Sequence, residues 1–187
     1  MTNDTTEIVQ RENPILHQNA KPVPTEDIKS GKIKKIISNM KTALNGQKDG
    51  VAIAAPQIGV DLQIFVVAKK VFQLLDEKNS EGNDITRNDL VFINPKIIKL
   101  SKTKKLMEEG CLSVRYAYGK VYRSERATIE AYDEEGNKFS RGAGGILAQI
   151  FQHETDHLNG ILFIEKAEQL EEISEEEYNR INKEDNE

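Results

Sequence analysis

The segment QHETDHLNG, residues 152–160, holds the side chains of this chain that are best suited to bind a metal ion. His153 and His157 are four residues apart, so on a helix they share one face and can offer two imidazole nitrogens to one ion. Glu154 then lies beside that ion, where its carboxylate can accept a proton from an activated water. Apolar residues at helical spacing precede the motif, and Gly160 is typical of a helix end. The segment therefore predicts a buried helix that carries a hydrolytic metal site.

The third metal ligand is not settled by this segment. A catalytic zinc site needs three protein ligands and one open position for water. One class of metal proteases supplies a third histidine three residues after the glycine, but this chain has Phe163 there. The remaining candidates are His17, the only other histidine, and Cys111, the only cysteine. A lone cysteine is more often an ordinary buried side chain, so the residues alone leave the choice open.

Three motifs, taken in order, resemble the signature motifs of the peptide deformylases. They are GVAIAAPQ at residues 50–57, EGCLS at residues 109–113 and QHETDH at residues 152–157. The resemblance extends from about residue 14 to about residue 165. It implies a hydrolase that removes the N-formyl group from nascent polypeptides beginning with formylmethionine.

The resemblance also implies a role for residues in each motif. The implied metal ligands are Cys111, His153 and His157. The family resemblance further implies ferrous iron as the native ion, with zinc, nickel or cobalt as alternatives. Glu154 would be the general base and acid, and Gln57 and the backbone N–H of Leu112 would stabilise the oxyanion.

Four further residues are predicted to contact the substrate. A methionine side chain needs an apolar pocket beside the metal helix, and we predict that Val51 and Ile150 form its wall. We expect Ala52 and Gly110 to contact the substrate as well. Ala52 stands where the family usually has glycine, and Thr155 stands where it usually has an apolar residue. Neither is a ligand or a proton carrier, so both bear on efficiency and substrate fit.

Length and composition limit the fold and the partners. The chain has 187 residues and a net charge of −5, which suits one domain over residues 1–187 with an acidic tail from about residue 165. No apolar run reaches the roughly 18 residues of a membrane span. Residues 1–7 have neither a basic start nor an apolar core, so we expect no signal sequence. We therefore expect a cytoplasmic protein. Because the acidic tail would repel ribosomal RNA, we expect transient ribosome contact and no direct nucleic-acid binding.

Local patterns predict an α+β fold, with mostly antiparallel strands around a central metal-binding helix and an N-terminal packing helix. The arm at residues 8–24 contains three prolines and reads as extended. The packing helix is predicted at residues 25–44, and a surface loop at residues 69–89 with a short helical start at residues 71–75. Further predicted elements are strands at residues 61–68, 90–93, 96–100, 121–123 and 127–132, a hairpin turn at residues 133–137 that returns through residues 138–140, and a solvated helix in the tail.

One structural pairing and two other functions complete the predictions. We predict that Arg123 pairs with Glu109 to hold the cysteine loop, the alternative being an exposed arginine on a strand. A zinc endopeptidase would share the helical motif. A catalytically weak, deformylase-like binding protein is the second alternative, prompted by Ala52 and Thr155.

Overall fold

Antiparallel strands make up most of the architecture. In the computed structural model, which describes residues 6–72 and 88–184, eight strands form two sheets. The strands are β1 (Ala52–Ala54), β2 (Ile64–Val67), β3 (Leu90–Leu100), β4 (Lys104–Cys111), β5 (Val114–Ser124), β6 (Arg126–Tyr132), β7 (Lys138–Gly144) and β8 (Gln169–Glu172). The first sheet has the order β1-β2-β3-β6-β7 and the second the order β4-β5-β8. Every neighbouring pair is antiparallel, which confirms the predicted α+β class.

Three α-helices are described over their whole length: α1 (Gly31–Asn45), α2 (Gly145–Leu158) and α3 (Glu175–Glu184). The predicted start of the first helix at residue 25 is wrong. Thr25–Asp27 form a separate 3-10 turn, and α1 begins after Ser30, whose hydroxyl accepts a hydrogen bond from the Ile33 N–H at 3.3 Å. A serine in this position satisfies one of the unpaired N–H groups at the helix start, so it sets the boundary.

Strand β2 lies between the two main helices. All four of its side chains are buried, because successive residues of a strand point to opposite faces and both faces are covered. Phe65 and Val67 join the apolar cluster under α2, whereas Ile64 and Val66 join the cluster under α1. A continuous apolar run of this kind is what a strand covered on both sides requires.

Aromatic packing fixes α2 against the five-stranded sheet. Phe65 and Phe92 stack with ring centroids 4.5 Å apart, and Phe151 of α2 meets the Phe92 ring edge-on at 5.2 Å. All three side chains are fully buried. Because Phe151 lies two residues before His153 on the same helix, this packing sets the position of the metal motif.

The predicted break in the third strand is wrong. We expected Asn94–Pro95 to separate two strands, but β3 runs through them with a shift in its register against β6. Asn94 has a positive φ of 51°, and its side chain bonds to both the N–H and the carbonyl of Val23. The bulge places the proline where the ladder is already interrupted, so its missing N–H costs little.

The N-terminal arm lies along the domain as predicted, but it is not extended throughout, because Pro14–His17 form a 3-10 turn. Its backbone bonds to Gln57 through the Val9 N–H and to Leu158 through the Ala20 N–H, both at 2.9 Å. Gly160, just after α2, has φ 69°, and a Cβ there would lie 2.6 Å from the Gln18 nitrogen. Only glycine allows the helix end to approach the arm this closely.

The remaining predictions fare unevenly. A tight turn between β6 and β7 contains the predicted hairpin residues, with Asp133 accepting from the Asn137 N–H at 2.8 Å. Helical residues occur at 69–72, and the rest of the predicted surface loop lies mainly outside the described residues. The tail is not a single helix, because β8 pairs with β5 before α3 begins. None of the helices in residues 6–72 and 88–184 combines the length and apolar composition that a membrane crossing requires.

Candidate active site

Two elements bring the three implied ligands together. Cys111 is the last residue of β4, and α2 presents His153 and His157 towards it. One ligand atom from each residue lies within 4.8 Å of the others. The Cys111 sulfur lies 3.1 Å from Nε2 of His157. One thiolate and two imidazoles at this spacing fit a single zinc or ferrous ion and leave a coordination position open.

A buried ion-pair network orients the first histidine. Oε2 of Glu109 accepts a hydrogen bond from Nδ1 of His153 at 2.9 Å, which leaves Nε2 of the ring for a metal. Arg123 donates to both oxygens of Glu109, at 2.7 and 2.9 Å, and to Asp156 at 2.6 Å. The side chains of Arg123 and Glu109 are only 4% and 2% exposed. The predicted pairing of Arg123 with Glu109 is therefore confirmed, and the alternative of an exposed arginine is wrong.

This network also sets the charges around the site. Burial opposes the charge of Glu109, but hydrogen bonds from Arg123 and His153 outweigh it and lower the pKa of Glu109 to about 2. Burial likewise opposes the thiolate of Cys111, and the two neighbouring histidines lower its pKa to about 5. The sulfur is thus held in the thiolate form that binds metals.

Glu154 has the properties of a group that exchanges protons near neutral pH. The residue is buried, and this burial raises the pKa of its carboxyl to about 7. Among the described residues its Oε2 has no hydrogen-bond partner. An unpaired buried carboxylate oxygen is costly for the fold, so its retention is expected where a water or a substrate binds.

Gln57 points its amide nitrogen towards the sulfur. Its Oε1 accepts a hydrogen bond from the Ala54 N–H at 2.8 Å, which fixes the direction of the amide group. Its Nε2 then lies 3.2 Å from the Ser113 hydroxyl and 3.5 Å from the Cys111 sulfur. A 3-10 turn, Ala55–Ile58, supplies this geometry directly after β1. The amide can therefore donate a hydrogen bond next to the candidate metal position.

A cavity of about 290 Å³ opens beside these groups. All four predicted substrate-contacting residues line it, as do Gln57, Glu154 and Leu112. The four are Val51, Ala52, Gly110 and Ile150. Leu112 lies in the turn between β4 and β5, with its carbonyl accepting from the Gln10 amide at 3.2 Å. The contribution of its N–H to an oxyanion site stays a prediction.

The two departures from the family pattern have different settings. Ala52 lies in β1, and in the described residues the only positive φ values outside glycine belong to Asn94 and Tyr116. Ala52 therefore carries no left-handed strain, and its methyl group is its only intrusion on the cavity. Oγ1 of Thr155 is buried without a hydrogen-bond partner in the part of the chain that the structure describes.

His17 is not a metal ligand, and several residues of the site were not predicted from the sequence. His17 bonds through Nε2 to the Arg11 carbonyl at 2.6 Å and does not join the ligand group. Asp156, which lies inside the metal motif, is tied to Arg123, and no spacing rule pointed to that contact. At the mouth of the cavity the structure adds three residues from separate segments: Asp49, Arg115 and Tyr178.

Comparison with known proteins supplies the family. A sequence profile described as polypeptide deformylase matches residues 5–172. The peptide deformylase of Halothermothrix orenii is 42% identical over 155 residues, which cover 83% of this chain and 88% of that protein. The solved structures include a class I type b peptide deformylase from Acinetobacter baumannii bound to Met-Ala-Ser. It is 31% identical with a TM-score of 0.72, and the match covers 86% of this chain and 97% of that one.

A second solved structure agrees with the first. The peptide deformylase of Synechococcus elongatus, in complex with actinonin, is 31% identical with a TM-score of 0.75. The match covers 90% of this chain and 84% of that one. The three motifs, the metal-binding geometry and these similarities agree, and the chain belongs to the peptide deformylase family.

Proposed function

We propose that this member of the family removes the N-formyl group from nascent polypeptides that begin with formylmethionine, with Glu154 as its proton carrier. The observation that carries the proposal is the approach of the Cys111, His153 and His157 ligand atoms to within 4.8 Å of one another beside a buried glutamate. The relative from Acinetobacter baumannii is described with Met-Ala-Ser bound, and that peptide begins with methionine.

The metal would be held by Cys111, His153 and His157. A divalent ion there would supply the Lewis acidity for the attack of water on the formyl group. The Glu109 carboxylate holds the His153 ring by its Nδ1 side, and Arg123 holds Glu109 in turn. Such outer contacts keep a ligand ring oriented and raise its basicity.

Glu154 would move the proton in both halves of the reaction. Its carboxylate accepts a proton from the water that attacks the formyl carbon, and later donates that proton to the amine that departs. The formyl C–N bond breaks, leaving formate and a free amino terminus. A pKa of about 7 suits both steps, because the group can accept and release a proton at neutral pH.

Gln57 would stabilise the charge that develops on the formyl oxygen. Its amide direction is fixed by the Ala54 N–H before any substrate binds. A donor held in advance needs no reorganisation in the transition state, which is where such groups contribute most to the rate. The Leu112 N–H would be the second donor. The methionine side chain would lie against Val51 and Ile150, with Ala52 and Gly110 beside the peptide backbone.

Formate release from formyl-Met-Ala-Ser by anaerobically purified protein tests the proposal. We expect one formate and one Met-Ala-Ser per substrate, and no turnover of the matched acetyl-Met-Ala-Ser. Cleavage inside an unformylated peptide would instead favour the zinc endopeptidase. Peptide binding without formate release, in protein loaded with iron, nickel or cobalt, would favour the binding protein and overturn the proposal.

Ferrous iron is the ion that we propose as native. Thiolate and imidazole ligands suit both iron and zinc, so the ligand set alone does not choose between them. If iron is native, exposure to air inactivates the protein as the iron and then the Cys111 thiolate are oxidised. Nickel-loaded protein is then expected to outlast iron-loaded protein in air, and equal lifetimes would contradict the assignment.

The cellular location that we propose follows from the substrate. We infer that the protein acts in the cytoplasm on chains leaving the ribosome, with only transient ribosome contact. β8 and α3 are rich in glutamate, β8 and the first two residues of α3 are exposed, and this charge opposes binding to ribosomal RNA. Co-sedimentation with ribosomes checks this, since stable binding at physiological salt would contradict it.

A further inference from the structure

The C-terminal segment reaches the mouth of the catalytic cavity. The family profile ends at residue 172, and α3, Glu175–Glu184, begins three residues later. Tyr178 of this helix nevertheless lines the same cavity as Glu154 and His153. A part of this chain outside the family match therefore contributes to the catalytic cavity.

Specific hydrogen bonds hold Tyr178 in this position. Its hydroxyl donates to Oδ2 of Asp49 at 2.9 Å, and Arg115 donates to the same oxygen at 2.9 Å. Arg115 also donates to the Tyr178 hydroxyl at 3.2 Å, and its guanidinium lies 5.8 Å from the centre of the tyrosine ring. We call Asp49, Arg115 and Tyr178 the rim cluster. It joins segments 63 and 66 residues apart in the chain into one wall.

The Asp49 carboxylate of the rim cluster stays charged at neutral pH. Burial works against the Asp49 carboxylate, but the hydrogen bonds and charge of Tyr178 and Arg115 outweigh it. The pKa of Asp49 therefore lies below its ordinary value. Asp49 therefore stays a carboxylate at neutral pH and can accept the hydrogen bonds of Tyr178 and Arg115.

The backbone of β5 bends to build this wall. Pairing with β4 shifts between Gly110 and Cys111, so β5 carries extra residues just after Val114. Within them Tyr116 has a positive φ of 66°, its carbonyl accepts from the Ile173 N–H at 2.9 Å, and its ring lies 5.2 Å from that of Tyr178. A strained residue persists only where its surroundings hold it, and such residues cluster at functional sites.

The rim cluster belongs to the more exposed part of the cavity lining. The proposed function puts the reacting end at Glu154, which is only 4% exposed, whereas the Arg115 and Asp49 side chains that line the same cavity are 23% and 42% exposed. The rest of a nascent chain is far longer than the cavity, so it leaves across exposed parts of the lining, to which the rim cluster belongs.

We propose that Tyr178, held by Asp49 and Arg115, is a specificity-determining residue that contacts the substrate beyond its first two residues. This inference rests on the proposed function, because it takes the formyl end to be at Glu154. It makes the enzyme bind longer formylated peptides more tightly than short ones.

Kinetics on two substrates test this inference. In Tyr178→Ala, KM for formyl-Met-Ala-Ser-Ala is expected to rise roughly fivefold or more, and by much less for formyl-Met-Ala. Tyr178→Phe keeps the ring and loses the hydrogen bond to Asp49, so an intermediate rise is expected. Tyr122→Ala is the matched control, since Tyr122 lies on the same strand β5, 55% exposed, and does not line the cavity.

Peptide binding separates this inference from the proposed function. The nickel-loaded wild type should bind the product Met-Ala-Ser-Ala more tightly than Met-Ala, and Tyr178→Phe should narrow that difference even if Tyr178→Ala fails to fold. If the wild type releases no formate, the proposed function fails, while this binding difference still decides the role of Tyr178. Equal effects on short and long peptides, or no effect on either, would overturn the inference.

Discussion

Two clusters in this molecule use the same chemistry in opposite surroundings. Next to the metal ligands, Arg123 pairs with Glu109 and Asp156, and the exposed fractions of the three side chains are 4%, 2% and 13%. At the mouth, Arg115 pairs with Asp49, and these side chains are 23% and 42% exposed. The floor cluster comprises Glu109, Arg123 and Asp156, and it touches a metal ligand. The rim cluster touches none of the three ligands through a hydrogen bond in the described residues.

The difference in burial gives the two clusters different consequences. Charges taken out of water depend on their partners, so removing one member of a buried group leaves an uncompensated charge inside. Partly exposed pairs are screened by water and contribute little to stability. The floor cluster therefore keeps the site in place, whereas the rim cluster can be altered without unfolding the protein.

The largest expected effect is at Glu154, which lies beside the metal ligands that the floor cluster holds in place. Glu154→Gln removes the proton carrier while keeping the size of the side chain, and kcat is expected to fall by about 10² to 10⁴. Metal content should stay at the wild-type level, since Glu154 is not a ligand. Measurement of formate release and of bound metal on the same sample checks this, and near-normal turnover would remove Glu154 from the mechanism.

A variant of Gln57 tests the proposed hydrogen bond to the formyl oxygen. Gln57→Ala removes an amide held 3.5 Å from the Cys111 sulfur, and kcat should fall by about 10² to 10³. A KM change without a kcat change would show that Gln57 binds the substrate equally in the ground state. The rim variant Tyr178→Phe is the contrast, because its effect is expected on KM.

A matched pair of arginine variants tests whether the two clusters differ in their contribution to stability. Arg123→Ala removes the two-fold hydrogen bonding from the buried Glu109 carboxylate and is expected to lower the free energy of unfolding by about 3 to 5 kcal/mol, whereas Asp156 keeps its ion pair with Lys166. Arg115→Ala is expected to lower it by at most about 1 kcal/mol. Denaturant titration of both proteins gives the two values. Equal losses would mean that burial does not separate the clusters as the structure indicates.

The smallest effect concerns Ala52. Because Ala52 lies in an ordinary strand, Ala52→Gly is expected to cost about 0.5 to 1 kcal/mol of stability. We expect kcat/KM on formyl-Met-Ala-Ser to rise by no more than a few fold, since only a methyl group leaves the cavity. A large gain would show that the alanine strains the bound state, and a loss would show that the strand has adapted to it.

Much of the metal site could be predicted from the sequence, because the patterns that indicate it lie within short segments. The spacing of His153 and His157 requires only helical geometry, and the three motifs kept their order and residue types. Residue spacing alone did not identify Cys111 as a ligand, because its approach to the helix depends on packing between β4 and α2. Family resemblance supplied this ligand where periodicity could not.

The rim could not be predicted, for a physical reason. Asp49, Arg115 and Tyr178 lie in three separate segments, and each is individually an ordinary surface residue in the sequence. The strand β8 could not be predicted either. All four residues of its sequence QLEE are exposed, and apolar and polar residues do not alternate along it. Such elements are defined by contacts between distant segments, which local patterns do not record.

Metal titration tests the central claim, that one ion bound by Cys111, His153 and His157 is required for deformylation. Metal-free protein is titrated anaerobically with ferrous iron or nickel while formate release from formyl-Met-Ala-Ser is followed. We predict that activity is absent without metal, rises in proportion to the added ion and levels off at one ion per chain. Activity in the metal-free protein, or none once one ion is bound, would contradict the account.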